Sequence, residues 1–219
     1  IGFMTHEVHS GGHVHSHNLG LGEFETEYAS ATEIPAAPDP LTGRTFQGYR
    51  RADGKAGTRN YLAVISTVNC SASVSKYVAE RFDSAALKEF PNVDGVVAFK
   101  HNTGCGMQFG GLNHQYLNRV MGGIARHPNI GAYLLIGLGC EQGAMGYLME
   151  DQRLIQIEGT GSLVERPPVF SMQDMGGTVR TAEAAIEKVA ELLPQANDAQ
   201  REPIPASEII LATECGGSD

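Results

Sequence analysis

From residue 60 onward, short unbroken apolar runs alternate with stretches whose apolar positions recur at helical spacing. Tyr61-Leu62-Ala63-Val64-Ile65 opens a strand expected to reach Val68, Val93 to Phe99 reads as a second, and Ala132 to Ile136 as a third. Solid apolar runs of this length are typical of strands buried on both faces. Val74, Tyr77, Val78 and Phe82 mark a helix that Ser71 or Ser73 can cap. Leu112, Tyr116, Leu117, Val120, Met121 and Ile124 mark one face of another, with Pro128 beyond its end. A short helix is expected around Met145 to Met149 and an edge strand at Pro167-Pro168-Val169-Phe170. Val179, Ala182, Ile186, Val189 and Leu193 then give an amphipathic helix that Pro194 should stop, and Ile209-Ile210-Leu211 reads as the last strand. The alternation predicts an α/β fold, a doubly wound, mostly parallel, Rossmann-like sheet with right-handed crossovers.

The amino-terminal part lacks this rhythm. Residues 1–22 hold five of the eight histidines, namely His6, His9, His13, His15 and His17. In His13-Val14-His15-Ser16-His17 a period of two would set three imidazoles on one face of a strand. Such a row can share a divalent metal, and it can equally be an exposed strand edge or an expression remnant. Residues 23–48 read as a linker, because Pro35, Pro38, Pro40 and Gly43 interrupt any regular element. Arg44, Arg50, Arg51, Lys55 and Arg59 follow, with Asp53 the one acid among them. This basic loop could clamp an anion or be a solvated connection, and Arg59, directly before the first core strand, is its strongest candidate. The expected organisation is a small β-rich piece over 1–22, a linker and basic loop over 23–59, and an α/β domain over 60–219.

The four cysteines sharpen the picture, because each lies just past an expected strand. Cys70 follows Asn69, Cys105 closes His101-Asn102-Thr103-Gly104-Cys105, Cys140 sits in Gly137-Leu138-Gly139-Cys140-Glu141, and Cys215 follows Thr213-Glu214. The first three recur at intervals of 35 residues, one strand-helix repeat each. Ligands of such sheets bind outside the carboxyl ends of the strands. Thiols gathered there with Glu141, Glu214, His101, Asn69 and Asn102 therefore point to a site. Thiolate and imidazole suit iron or zinc, carboxylate admits manganese, and a thiol can also act without metal as proton donor or nucleophile. No CxxC pair is present, which argues against a zinc knuckle or a thioredoxin-type centre. Gly137-Leu138-Gly139 is a near miss to the dinucleotide fingerprint, with Gln142 in place of the third glycine, and no phosphate-binding loop ending in GK[ST] occurs. No nucleotide cofactor is expected.

Composition narrows the partners. The 219 residues, 42% of them hydrophobic, can bury a real core, and the net charge of -9 argues against nucleic acid or an anionic membrane. No apolar run approaches the roughly 20 residues that span a bilayer. Cysteines used at strand tips fit reduced thiols and a cytoplasmic setting better than disulfides. A chain that opens on Ile1 and stops on Gly216-Gly217-Ser218-Asp219 reads as cut at both ends from a longer protein.

Four segments in order complete a pattern: Gly54-Lys55-Ala56-Gly57-Thr58-Arg59-Asn60, His101-Asn102-Thr103-Gly104-Cys105-Gly106, Gly137-Leu138-Gly139-Cys140-Glu141 and Thr213-Glu214-Cys215-Gly216-Gly217-Ser218-Asp219. Together they resemble the altronate and galactarate dehydratase family, and His13-Val14-His15-Ser16-His17-Asn18 resembles the end of the small SAF domain that precedes the catalytic part there. Ala212 departs from the glycine common in the family. The resemblance implies loss of water from a sugar acid to give a 2-keto-3-deoxy acid, with ferrous iron as metal and manganese as the alternative. It implies catalytic roles for His101, His17, Glu141 and Cys105, His101 being first choice for base or acid. Substrate contacts are expected from Lys55, Arg59, Asn60, Asn69, Asn102, Thr103, Gly104 and Ser218. Metal ligation is expected from His15, His17, Cys70, Cys140, Glu214 and Cys215. The implied partner is a small sugar acid, and a homo-oligomer and the remainder of its own chain are compatible with it. A sulfo-lyase acting on a sulfonated hydroxy acid, and a non-catalytic sugar-acid or metal-binding module, are the competing readings.

Overall fold

The computed structural model describes residues 2–15, 18–21, 36, 38–141, 145–154, 156–158, 162–165 and 167–213. They divide into two units, Ile1–Gly43 with Ile209–Asp219, and Arg44–Glu208. In the first, β1 (Gly2–Met4) pairs antiparallel with β2 (Leu19–Leu21). Between them His13 and His15 lie in an irregular segment instead of the expected strand. The cause is Asn18, nearly fully buried, whose amide donates to His13 O at 2.9 Å and accepts the His15 N–H at 2.7 Å. A short amide that satisfies neighbouring backbone competes directly with a strand ladder. Ile209, Ile210 and Leu211, expected as a strand, are non-helical, unpaired and exposed, Ile210 by 85%. Apolar β-branched residues form a strand only where an edge receives them.

The second unit is built on a four-stranded parallel sheet. Its strands are β5 (Tyr61–Ser66), β6 (Gly95–Phe99), β7 (Ile130–Gly137) and β10 (Val169–Ser171). The order across the sheet is β10-β7-β5-β6, with every neighbour parallel. Side chains alternate along β5 and β7, so each face carries its own core. Leu62, Val64, Leu134 and Ile136 pack against α1 (Ala72–Ala79) and α4 (Thr178–Asn197). Ala63, Ile65, Tyr133 and Leu135 pack against α2 (Leu112–Ala125) and α3 (Met145–Asp151). A helix layer on each side is the doubly wound arrangement the sequence predicts.

Two helices differ in detail from expectation. The face α2 turns inward carries His114, Asn118, Met121 and Ala125, while Leu112, Tyr116 and Val120 stay more than half exposed. The inward His114 is held among rings, 5.0 Å from Phe109 and 5.5 Å from Tyr147 between centroids. Leu117, Met121 and Ile124 of the expected stripe do pack on the core, and aromatic packing around His114 completes that face. Pro194 does not stop α4, which runs on to Asn197 with Leu192 and Leu193 buried before the proline and Ala196 buried after it. A proline so near the end interrupts only the last backbone bonds, and apolar burial outweighs them.

The stretch expected as a linker and basic loop contributes strands. β3 (Thr45–Arg50) lies between β4 (Ala56–Gly57) and β11 (Arg201–Pro205) in an antiparallel sheet. Pro203 and Pro205 are tolerated because β11 is an edge. This sheet seals the amino-terminal ends of the parallel strands. Tyr49 is buried and donates to Asn92 O at 3.1 Å. Gly57 lies so close to the Pro128 carbonyl that no Cβ fits. A separate hairpin pairs β8 (Gln156–Glu158) with β9 (Ser162–Glu165). No helix among the described residues is long and apolar enough to cross a membrane.

Candidate functional site

The chain lays down β5, moves to one side for β6, then reverses across β5 to reach β7 and β10. This reversal makes the gap between the carboxyl ends of β5 and β7 a topological switch point, where loops diverge and open sheets bind ligands. Three loops meet around it. After β5, Thr67 and Val68 lead into a single 3-10 turn, Asn69–Ser71, and the segment is knotted by buried hydroxyls. Ser71 Oγ lies 2.6 Å from Ile136 O and 2.8 Å from Ser66 Oγ, and Ser66 Oγ donates to Val68 O at 2.6 Å. Ser71 is thereby fully buried and fixed to β7, while its neighbour Cys70 is exposed.

The loop after β6 is stitched to this turn. The Asn69 N–H donates to Thr103 O at 2.8 Å. Gly104 takes φ of +102° and lies so close to Val68 that a Cβ would stand 2.8 Å from its Cα. Only glycine meets both conditions. Cys105, the next residue, is held at the surface. The loop after β7 turns at Gly139, φ +115°, and is anchored by Glu141. That carboxylate is nearly buried, accepting Thr67 Oγ1 at 2.9 Å through Oε1 and the Gly139 N–H at 2.6 Å through Oε2. Gly137 leaves room for it, since a Cβ there would collide with Oε1. Cys140 is exposed beside this anchor.

His101 is half-buried, and both ring nitrogens are engaged. Nδ1 accepts the Thr103 N–H at 3.2 Å, which assigns the proton to Nε2, 3.1 Å from Ser66 O. Burial pushes its pKa below the ordinary 6.5, against the opposing pull of the Ser66 and Thr67 backbone. The imidazole is therefore neutral at physiological pH. The Cys105 thiol is pushed above its ordinary 9.0 by desolvation, then by Cys70, Cys140 and Glu141. Cys70, Cys105 and Cys140 follow the adjacent strands β5, β6 and β7, so the three described thiols stand on neighbouring strand tips. Cys70 Sγ also lies 3.7 Å from Asn69 Oδ1. A recess of about 360 Å³, lined by Glu141, Met145, Met149, Ser171 and Asp174, opens beside the β7 tip. Another of about 460 Å³ lies along β6 and α1, lined by Lys76 and Lys100 and away from the thiols.

The structure thus brings together Cys70, Cys105, Cys140, Glu141, His101, Asn69, Asn102, Thr103 and Gly104 at one end of the sheet. It sets Lys55, Arg59 and Asn60 at the other, beyond the six residues of β5, a run of about 20 Å at roughly 3.3 Å per residue. Asn60 is wholly buried, its amide donating to Asn92 O and Ala196 O at 2.8 Å each and accepting from Arg51 at 3.0 Å. Asn60 thereby pins the start of β5 to the segments around Asn92 and Ala196. Arg51, its pKa lowered chiefly by burial, holds Pro128 O at 2.6 Å and Arg59 O at 3.0 Å. Arg50 pairs with Glu208 and Glu202, Lys55 with Asp53 at 2.7 Å, and Arg59 approaches Asp94 at 4.0 Å. These cations serve the sheet that seals the strand starts. His15 belongs to the other unit, and His17, Glu214, Cys215 and Ser218 lie outside the described residues. Thr67, Ser66 and Ser71 were missed from sequence, although a polar run closing an apolar strand was a signal that could have found them. Among the described residues no three His, Cys, Asp or Glu side chains are arranged to hold a metal ion.

Residues 48–197 match the family described as D-galactarate dehydratase/Altronate hydrolase, second domain. The chain is 33% identical over 224 residues to an altronate dehydratase of Escherichia coli, covering 100% of this chain and 42% of that protein. It is 37% identical over 196 residues to a galactarate dehydratase (L-threo-forming) of the same organism, covering 86% and 36%. It is 32% identical over 179 residues to a (2R)-sulfolactate sulfo-lyase subunit beta of Chromohalobacter salexigens, covering 82% and 40%. The chain therefore spans well under half the length of the curated relatives it matches.

Proposed function

Because the chain belongs to the D-galactarate dehydratase/altronate hydrolase family, we propose that it carries out the dehydration of a sugar acid, an altronate-like aldonate or a galactarate-like aldarate. The product is a 2-keto-3-deoxy acid. The observation that carries this reading is the gathering of three thiols, His101 and the Glu141 anchor around the β5–β7 switch point. Dehydration breaks a C2–H bond and the neighbouring C3–O bond, and the resulting enol tautomerises to the keto acid. The C2 proton is weakly acidic, so the reaction needs a base, an acid and a cation beside the carboxylate.

The donor chemistry at the tips, three thiols on one shelf, suits iron better than manganese. An iron centre bound here would supply the positive charge that favours enolate formation and hydroxide departure. His101 serves as the base, taking the proton at Nδ1 in exchange for the Thr103 N–H it now accepts. Its neutrality suits that task, because a base must arrive unprotonated. Asn69, Asn102 and Thr103, all exposed on the same loops, orient the substrate hydroxyls. Glu141 acts by holding the Cys140 turn against β5. His17, Glu214, Cys215 and Ser218, outside the described residues, are the remaining candidates from sequence. A cytoplasmic setting, with reduced thiols, belongs to the same proposal.

The test is His101→Asn in the protein at the full length its gene encodes, assayed for keto acid over a panel of hexonates and hexarates. Turnover should fall by about 10²-fold or more while metal content is unchanged, as loss of a general base requires. Near-normal turnover would remove His101 from this role. The similarity to a sulfo-lyase subunit gives a second reading, expulsion of sulfite from a sulfonated hydroxy acid. Sulfite release in place of keto-acid formation from hexonates would select it.

A further inference from the structure

We propose that the free edge of β6 is a docking surface for a second copy of this chain, paired antiparallel about a twofold axis at Val97. β6 ends the parallel sheet, with β5 on one flank and, among the described residues, no strand on the other. Gly95-Val96-Val97-Ala98-Phe99 contains none of the prolines or charges that blunt such edges, and all five residues are half-buried. An apolar edge with unpaired backbone groups is a template for another strand.

The backbone groups that face outward are fixed by the inner side. The Asp94 N–H donates to Asn60 O at 2.8 Å, so the even-numbered residues of this segment turn their backbone groups toward β5. These groups alternate along a strand, and those of Gly95, Val97 and Phe99 therefore point to the open side.

The flanking residues select the occupant. Asp94 and Lys100 stand at equal distances on either side of Val97, and with them the segment is complementary to itself. An antiparallel copy centred on Val97 sets Val97 against Val97, Gly95 against Phe99 and Asp94 against Lys100. The first two are hydrogen-bonded pairs, as the outward groups of the odd-numbered residues require. Phe99 facing a glycine covers the bare backbone there. The third joins opposite charges at a non-hydrogen-bonded position, where side chains stand closer. Lys100 is exposed and has no ion pair among the described residues. Asp94 is held in place by the Asn60 N–H at 2.6 Å and Arg201 at 3.5 Å, and a carboxylate has acceptor sites beyond those two. Moving the axis to Val96 would set Asp94 against Ala98 and Lys100 against Asn92, which removes the charge pair.

The ground beside the edge suits the same occupant. Val96 and Ala98 turn to the α1 side, where the recess of about 460 Å³ runs along the strand. Its charged lining is balanced, Lys76 and Lys100 against Glu80 and Asp83. Two chains of net charge -9 repel over most of their surface, and this strip is where they can approach. The copy's own Val96 and Ala98 lie on the same face and cover the recess.

The test is sedimentation of the full-length protein over a concentration series, beside amide hydrogen exchange. The parent should sediment as a dimer or a multiple of it, with slow exchange at Gly95, Val97 and Phe99. Val97→Pro removes an outward N–H that serves nothing within the chain, and should halve the mass while circular dichroism is unchanged. Lys100→Asp sets two acids face to face and should raise the dissociation constant by about tenfold or more, which keeps the test open if the proline variant misfolds. A zero-length carbodiimide should join Asp94 of one chain to Lys100 of another in a mixture of heavy-isotope-labelled and unlabelled protein. A parent dimer that both variants leave intact would overturn the proposal. So would a monomeric parent, whether its three amides exchange slowly, which would assign the edge to the rest of the chain, or fast, which would leave it uncovered.

Discussion

Replacing Thr67 by valine tests whether the strand tips are braced as the hydrogen bonds imply. Valine keeps the β-branched shape and removes only the hydroxyl that donates to Glu141 Oε1 at 2.9 Å. Thr67 is 5% and Glu141 9% exposed, so water does not readily replace the lost donor. A hydrogen bond to a charged acceptor contributes about 1.5–3 kcal/mol, and an unsatisfied buried oxygen sits at the upper end of that range. A loss of about 2 kcal/mol, at a urea slope of about 2 kcal/mol per molar, moves the unfolding midpoint down by about 1 M. Thr67→Ser retains the hydroxyl and should recover at least half of that shift. The freed Cys140 turn should also react faster with a thiol-alkylating reagent in Thr67→Val than in the parent. A midpoint change below about 0.3 M with unaltered Cys140 reactivity would refute the view that Glu141 is a structural anchor.

Two further outcomes follow from the same geometry. His101 has a folded pKa below its ordinary 6.5, so the unfolded chain takes up the proton first as the medium is acidified. Its contribution is therefore full above 6.5 and declines as the pH falls toward the folded value, and denaturation between pH 7 and 5 should show a shallower loss in His101→Asn than in the parent. Lys55→Ala and Arg59→Ala should change KM for a sugar acid by less than about threefold, because both lie at the opposite strand ends from the thiols. A tenfold rise in KM with unchanged kcat would place substrate carboxylate there instead.

The doubly wound sheet was legible because its strands and helices announce themselves locally. Unbroken apolar runs such as Ala132 to Ile136 and the spacing of Val74 and Val78 are one-dimensional signals, and burial follows them. What escaped was non-local. β3 exists because Arg201–Pro205 lies against it about 150 residues later, and nothing within Thr45–Arg50 reveals that partner. The inward face of α2 carries His114 and Asn118, whose burial depends on Phe109 and Tyr147 closing over them. The cysteines could be placed at strand ends because position relative to a strand is itself local. Arg59 and Asn60 were joined to them by the basic loop's charge and by a motif of the family resemblance, neither of which carries a spatial position. A strand has two ends, and a motif beside it does not say which end it serves.

The opposite treatment of those two ends has a consequence for how this scaffold can change. Arg51, Asn60, Tyr49 and Arg201 knit the strand beginnings to carbonyls of Arg59, Pro128, Asn92, Ala196 and Thr58, so a substitution there is charged against folding. The finishing loops spend few of these bonds on the outward side chains of Asn69, Asn102 and Cys105. Under the proposed function, exchange of those side chains would retune which acid is accepted, or which leaving group departs, while the foundation is untouched. Relatives named for an aldonate, an aldarate and a sulfonate are what such a partition would produce. The permanence of one rim is what makes the other rim free to diversify.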